Sequence, residues 1–223
     1  MGGAAFNDTF AGRAAARFVA FAVTAFARLV TAAQPDWRDV DPTSTAQRIY
    51  YANHVSHGDF VLVWSVLPQR LRERTRPVAG ADYWTGSALR RFVGTAVFRS
   101  VLIERTPRAG GADPIGQMAE ALDAGASLLL FPEGTRNLGD EPLLPFKTGL
   151  ARLAIARPEV DVVPVWIDNL NRVLPKGTMV PVPLMCRVTF GAPVRIDAGE
   201  SVPAFLARAR DALLALRPRP EAP

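Results

Sequence analysis

The chain of 223 residues has a single cysteine and only two histidines. Cys186 has no partner within the chain, so a disulfide scaffold is excluded and the count suits a reducing compartment. It stands in the apolar stretch "PLMCRVTF" and is expected as a buried thiol. Internal repeats and low-complexity blocks are lacking, which excludes a solenoid or a repeat array. No recognisable nucleic-acid motif occurs, and aromatic residues are not interleaved with the arginines; a nucleic-acid partner is not expected. The G-x-S-x-G turn that exposes a hydrolase serine is also missing.

A long uninterrupted apolar run is absent as well. "RFVAFAVTAFARLVTAA", Arg17 to Ala33, is broken by Arg28 and falls short of the about 20 apolar residues that a bilayer-spanning helix needs. A secretory signal would continue its apolar core through Arg28 and be followed by a fresh start, whereas "PDWRDV" leads straight into the fold. The stretch reads as a helix with Arg13, Arg17 and Arg28 near its polar edge. Two placements stay open: docking in a membrane interface, or packing on the domain's own core.

What the chain does have is apolar content, 49% of its residues, and a net charge of +5. Between Arg70 and Arg108 nine arginines face three acidic residues, a local excess of +6. Such a segment attracts phosphates if its charges share one face, and is an ordinary solvated surface if they do not. The pattern predicts strands at 47–53, 98–105, 126–131, 161–167 and 185–191. Helices are expected over 58–67, 86–94, 114–124, 147–156 and 201–216. Asp113-Pro114 and Ser201 serve as helix starts, and Gly125 as a stop. Pro164 marks the strand 161–167 as an edge or a bulge. The alternating order defines an α/β domain with a largely parallel sheet flanked by helices. The expected divisions are an N-terminal apolar helical segment (1–40), the α/β domain (41–217) and a disordered tail (218–223).

The two histidines, His54 and His57, both fall in "YYANHVSHGDF", with Asp59 beside them. A spacing of five residues does not put His54 and Asp59 on one helical face. They can meet if His54 precedes the helix in a turn and Asp59 lies in the first turn. A carboxylate bonded to one imidazole nitrogen then fixes the tautomer and leaves the other nitrogen as a base. Ser56-x-x-Asp59 can also form a capping box, which is compatible with the pair. His57, two residues before Asp59, is the poorer base, and no second ligand cluster supports a metal site. His54 follows one predicted strand, Arg105 another and "PEGTR" a third. In parallel α/β sheets ligands bind beyond the carboxyl ends of the strands, so these clusters converge if the strands are parallel.

These residues also carry a resemblance. "NHVSHGD" (53–59) resembles the N-H-x-S-x-x-D block of the glycerolipid acyltransferases, the group that includes 1-acylglycerol-3-phosphate acyltransferase. "SVLIERT" (100–106), "FPEGTR" (131–136) and "VVPVWI" (162–167) are similar to the family's second, third and fourth blocks, and "FKTG" (146–149) to the motif after the third. The resemblance implies acyl transfer from acyl-CoA or acyl-carrier protein to the hydroxyl of a lysophospholipid, with no cofactor beyond that cosubstrate and no metal. It makes His54 the general base and Asp59 its orienting partner. It assigns the acceptor's phosphate to Arg105, Glu133, Gly134, Thr135, Arg136 and Lys147. It implies work at a membrane surface, on the cytoplasmic face. Two departures bear on the acceptor: Glu104 stands where an aspartate is common, and "NLGDEPLLP" (137–145) is not the usual short serine-rich loop. Another lysolipid, such as lyso-ornithine lipid, or a nonenzymatic anionic-lipid-binding module, is the alternative.

Overall fold

The computed structural model describes residues 9–56, 58–104, 113–168 and 185–218. Seven strands form one sheet: β1 (Gln34–Trp37), β2 (Arg48–Ala52), β3 (Thr75–Gly80), β4 (Val101–Ile103), β5 (Ser127–Leu130), β6 (Asp161–Asp168) and β7 (Arg187–Phe190). Their order is β1-β7-β6-β2-β5-β3-β4. Five strands run parallel from β6 to β4, while β7 is antiparallel to β6 and β1 is parallel to β7. The largely parallel α/β sheet expected from the sequence is therefore present.

Alternation along the central strands supplies two apolar faces, as a sheet covered on both sides requires. Ile49 and Tyr51 of β2, Leu128 and Leu130 of β5, and Val162 and Trp166 of β6 share one core. Helices α6 (Pro114–Asp123), α7 (Gly149–Ala156) and α8 (Val202–Ala215) cover it. Tyr50, Ala52, Leu129, Val163 and Val165 point to the opposite core, beneath α2 (Asp59–Val66). The predicted helix starts hold: Asp113 accepts from the N–H groups of Ile115 and Gly116, and Ser201 from that of Ala204. Cys186 is fully buried, and desolvation pushes its thiol up to about 11.

Several expectations need correction. β1 and β3 were not foreseen as strands; "QPDW" and "TRPVAG" carry proline, glycine or charge and little β-branched character. β1, within the segment 1–40, pairs with β7. The helix expected over 86–94 divides. After α3 (Gln69–Arg72) and α4 (Ala81–Trp84) comes α5 (Ala88–Phe92), which runs into a π-helical turn, Val93–Val97. β6 is interior rather than an edge. Pro164 is tolerated there because it lies one residue beyond the last β7 pair, Val165 with Phe190. Only the Gly191 N–H reaches back, to the Pro164 carbonyl at 2.9 Å.

The N-terminal helix α1 (Phe10–Thr31) is longer than expected. Its 22 residues span about 33 Å at 1.5 Å per residue. By length and composition it could cross a membrane, contrary to the reading of Arg17–Ala33 as too short. One side, with Ala16, Val19, Ala20 and Val23, packs on the cluster of Trp64, Trp84, Val97 and Phe98. The other side exposes Phe10, Phe18, Phe21, Phe26 and Leu29. Arg28 does more than mark a polar margin: its Nε donates to the Ser65 carbonyl at 3.0 Å, in the last turn of α2, where a cation complements the helix dipole.

Four arginines of the basic segment are engaged with the main chain or a ring. Arg70, Arg74 and Arg76 donate to the carbonyls of Pro42, Thr45, Gly125 and Arg99, and Arg72 lies over Trp64. Gly125 and Arg99 stand just before β5 and β4, so these cations brace the amino ends of the strands.

Beyond β2, Asn53 continues the sheet with its side chain. Its Nδ2 donates to the Ile167 carbonyl at 3.0 Å, and its Oδ1 accepts from the Ile167 N–H at 2.7 Å. Asn53→Ala would orphan both main-chain groups in a buried place, and is expected to cost at least about 2 kcal/mol, measured by urea denaturation.

Candidate active site

Two adjacent parallel strands bring the site together. β2 ends before Asn53-His54, and β5 before Phe131 and "PEGTR"; Tyr51 and Leu130 are paired in register. β4 runs the same way and ends at Ile103. Arg105 and His57 lie outside the described residues.

His54 and Asp59 meet as expected, with Nδ1 to Oδ2 at 2.7 Å. The same Oδ2 accepts the main-chain N–H groups of Val55 at 2.6 Å and Ser56 at 2.9 Å. Asp59 opens α2, is fully buried, and benefits from the positive end of the helix. A carboxylate only accepts, so the imidazole donates and carries its proton on Nδ1. Nε2 is left with its lone pair, as a base needs. The capping box is half made. Asp59 accepts from the Ser56 N–H, but the Ser56 hydroxyl accepts from Gly58 N rather than from Asp59 N. Phe131 stacks on the His54 ring, with centroids 4.2 Å apart and planes at 17°, which limits ring rotation. The His54 side chain remains 17% exposed, open to a reactant.

Glu133 is buried against the main chain of His54. Its carboxylate is 1% exposed; Oε1 accepts from His54 N and Oε2 from Leu144 N, each at 2.8 Å. Desolvation raises its pKa, against the pull of those two N–H groups. Gly134, Thr135, Arg136 and Lys147 are different. Gly134 and Thr135 are exposed and Arg136 is half-buried. Lys147 is exposed, its N–H tied to the Pro132 carbonyl at 2.7 Å. Among the described residues neither Arg136 nor Lys147 has an acidic partner, unlike Arg38, Arg157, Arg195 and Arg208. No group of three or more His, Cys, Asp or Glu among the described residues could hold a metal ion.

The sequence reading passed over Asn53, Phe131 and Asn137. The first two stand inside the blocks that carried the resemblance, so the signal was present but unread. Asn137 N donates to the His54 carbonyl at 2.6 Å, a contact that only the closed fold creates.

The fold and site define a class: an α/β protein with a carboxylate-oriented histidine at the carboxyl ends of parallel strands. The chain belongs to the Acyltransferase family, whose model matches residues 38–168. It is 30% identical over 145 residues to a 1-acyl-sn-glycerol-3-phosphate acyltransferase of Haemophilus influenzae, covering 59% of this chain and 55% of that one. It is 35% identical over 97 residues to one of Limnanthes alba, covering 42% and 34%. The chain thus spans about half, or less, of the length of these curated relatives. The crystal structure of the 1-acyl-sn-glycerophosphate acyltransferase of Thermotoga maritima shares the fold, with a TM-score of 0.66 and 19% identity, covering 92% of this chain and 83% of that one.

Gly134 has a φ of +70°, and a Cβ there would stand 3.3 Å from Lys147 Cγ. Gly134→Ala is expected to lower stability by about 1–2 kcal/mol, the cost of a left-handed non-glycine residue, read as a lower urea midpoint.

Proposed function

We propose that the protein is an O-acyltransferase. It moves a fatty acyl group from acyl-CoA or acyl-carrier protein to the free hydroxyl of a lysophospholipid, 1-acylglycerol-3-phosphate, and the product is phosphatidic acid. The observation that carries this reading is the His54–Asp59 pair at 2.7 Å, with the His54 side chain still 17% exposed. The names of the relatives and the family support the same chemistry.

The acceptor hydroxyl donates its proton to His54 Nε2 as its oxygen attacks the thioester carbonyl. The C–S bond then breaks, and the leaving thiolate takes the proton from the imidazolium. A positioned general base contributes about 10² to 10⁴ in rate. The Asp59 carboxylate holds the ring in the required tautomer and stabilises the imidazolium. No acyl-enzyme is formed, because the acceptor oxygen is itself the nucleophile. Arg136 and Lys147 suit the acceptor's phosphate: the guanidinium binds it as a fork and the ammonium as a point charge. Arg105 joins them in this assignment.

The test is transfer from long-chain acyl-CoA or acyl-carrier protein to a panel of lysolipids, with thiol release followed. His54→Ala is expected to fall below a few per cent of the parent activity while the fold persists, and His57→Ala to have a much milder effect. Arg136→Ala or Arg105→Ala is expected to raise the acceptor KM about tenfold or more, from a lost contact worth about 1.5–3 kcal/mol. Transfer to lyso-ornithine lipid but not to 1-acylglycerol-3-phosphate would replace the acceptor, and no thioester cleavage at all would favour a binding module.

The same reading places the protein on the cytoplasmic face of a membrane, where its amphiphilic acceptor and product reside. The exposed stripe of α1 is the surface suited to lipid; Phe18 and Phe21 are each 71% exposed. Arg13, Arg17 and Arg28 lie along one edge of that helix. Because the opposite side of α1 packs on the domain, replacing Phe18 and Phe21 together by serine is a gentler probe than deleting the helix. The double variant is expected to keep its melting temperature and lose flotation with anionic vesicles. Unchanged flotation would remove this stripe from the membrane contact.

A further inference from the structure

The main chain of His54 is held from both sides by one segment. Its N–H donates to Glu133 Oε1 at 2.8 Å, and its carbonyl accepts from Asn137 N at 2.6 Å. The segment closes on itself. Glu133 Oε2 accepts from Leu144 N at 2.8 Å, Asn137 Nδ2 donates to the Glu141 carbonyl at 2.6 Å, and Asn137 Oδ1 accepts from Gly139 N at 3.1 Å. Both side chains are buried, at 1% and 7% exposure. The stretch concerned, 137–145, is the one that departs from the family's short serine-rich loop.

We propose that Glu133 and Asn137 are positioning residues that bracket the peptide of the base, so that the loop 137–144 is folded around His54 and not only beside the acceptor. Three groups then fix the imidazole from different directions. Asp59 holds Nδ1, Phe131 holds the ring face, and the Glu133–Asn137 bracket holds the main chain from which the side chain projects. Each Glu133 oxygen accepts a main-chain N–H in a buried place. Glutamine fits the same space but presents an NH₂ group to one of those N–H groups, so one side of the bracket opens. Asn137→Ala leaves the His54 carbonyl bond to a main-chain N–H whose turn has lost both of its side-chain bonds.

As a statement about turnover, this rests on the reading of His54 as the base in acyl transfer; as a statement about the order of the imidazole, it does not. The experiment therefore has two readouts on the full chain. The first is steady-state kinetics with acyl-CoA and 1-acylglycerol-3-phosphate. Glu133→Gln and Asn137→Ala are each expected to lower kcat about 10- to 100-fold, since a misplacement of about 1 Å costs up to about 100-fold. Acceptor and donor KM should stay within about threefold, the signature of an interaction that acts on the transition state. The second is the Nδ1–H proton resonance of His54, observed in a His57→Gln background that leaves one histidine. Both variants should broaden or displace it, while the melting temperature shows that the protein remains folded.

A raised acceptor KM with kcat preserved, and an unmoved imidazole resonance, would overturn the bracket and return Glu133 to the acceptor's phosphate. If Glu133→Gln fails to fold, Asn137→Ala, on the loop, decides by the same two readouts. If the parent protein transfers no acyl group but both variants displace the resonance, the bracket stands and the acyltransferase reading falls.

Discussion

One carboxylate oxygen, Oδ2 of Asp59, organises the site. It accepts from the His54 ring and from the main-chain N–H groups of Val55 and Ser56. Those bonds turn the chain from the end of β2 into the start of α2, and in the same act choose the tautomer of His54. The turn and the chemistry share one acceptor, so the local fold cannot change without changing the base. Burial strengthens the arrangement, because in a water-poor setting each N–H must find its partner within the protein.

The sheet supplies the second constraint. β2 and β5 are parallel neighbours, and the segments after them carry His54 and "PEGTR" to the same edge. Asn53 extends β2 by replacing one peptide with its side-chain amide, joining the site to β6. Glu133 reaches from the end of β5 to the main chain of His54. Rigid parallel strands thus locate His54, and short polar bonds at their ends orient it. Charge is divided in space. Arginines at the amino ends of the strands are engaged with carbonyls or an indole, whereas Arg136 and Lys147, at the carboxyl edge, have no acidic partner among the described residues.

Much of this was legible in the sequence. Short apolar runs marked β2, β5 and β6, cap residues marked α6 and α8, and the histidine-aspartate spacing marked the pair in the site. Where local propensity was weak, the reading failed. β1 and β3 contain proline, glycine and charged residues, and they are strands because β7, β5 and β4 offer them ladders. Pro164 suggested an edge, yet its missing N–H falls where β7 has just ended, a matter of register with a distant strand. The extent of α1 was underestimated because alanines and glycine before Arg17 carry little hydrophobic signal, although Thr9 caps a helix that begins at Phe10.

The sequence by itself determined the alternation of strands and helices, the presence of a histidine-carboxylate pair near one strand end, and the blocks that identify the family. These depend on spacing within a few residues, which the chain's own geometry enforces. Only the tertiary structure decided that Glu133 accepts from the main chain of His54, that Asn137 holds the carbonyl of the same residue, and that Arg70, Arg74 and Arg76 donate to main-chain carbonyls. Each of these depends on which carbonyl or N–H lies within about 3 Å, and that is set by the packing of residues as far apart as His54 and Asn137.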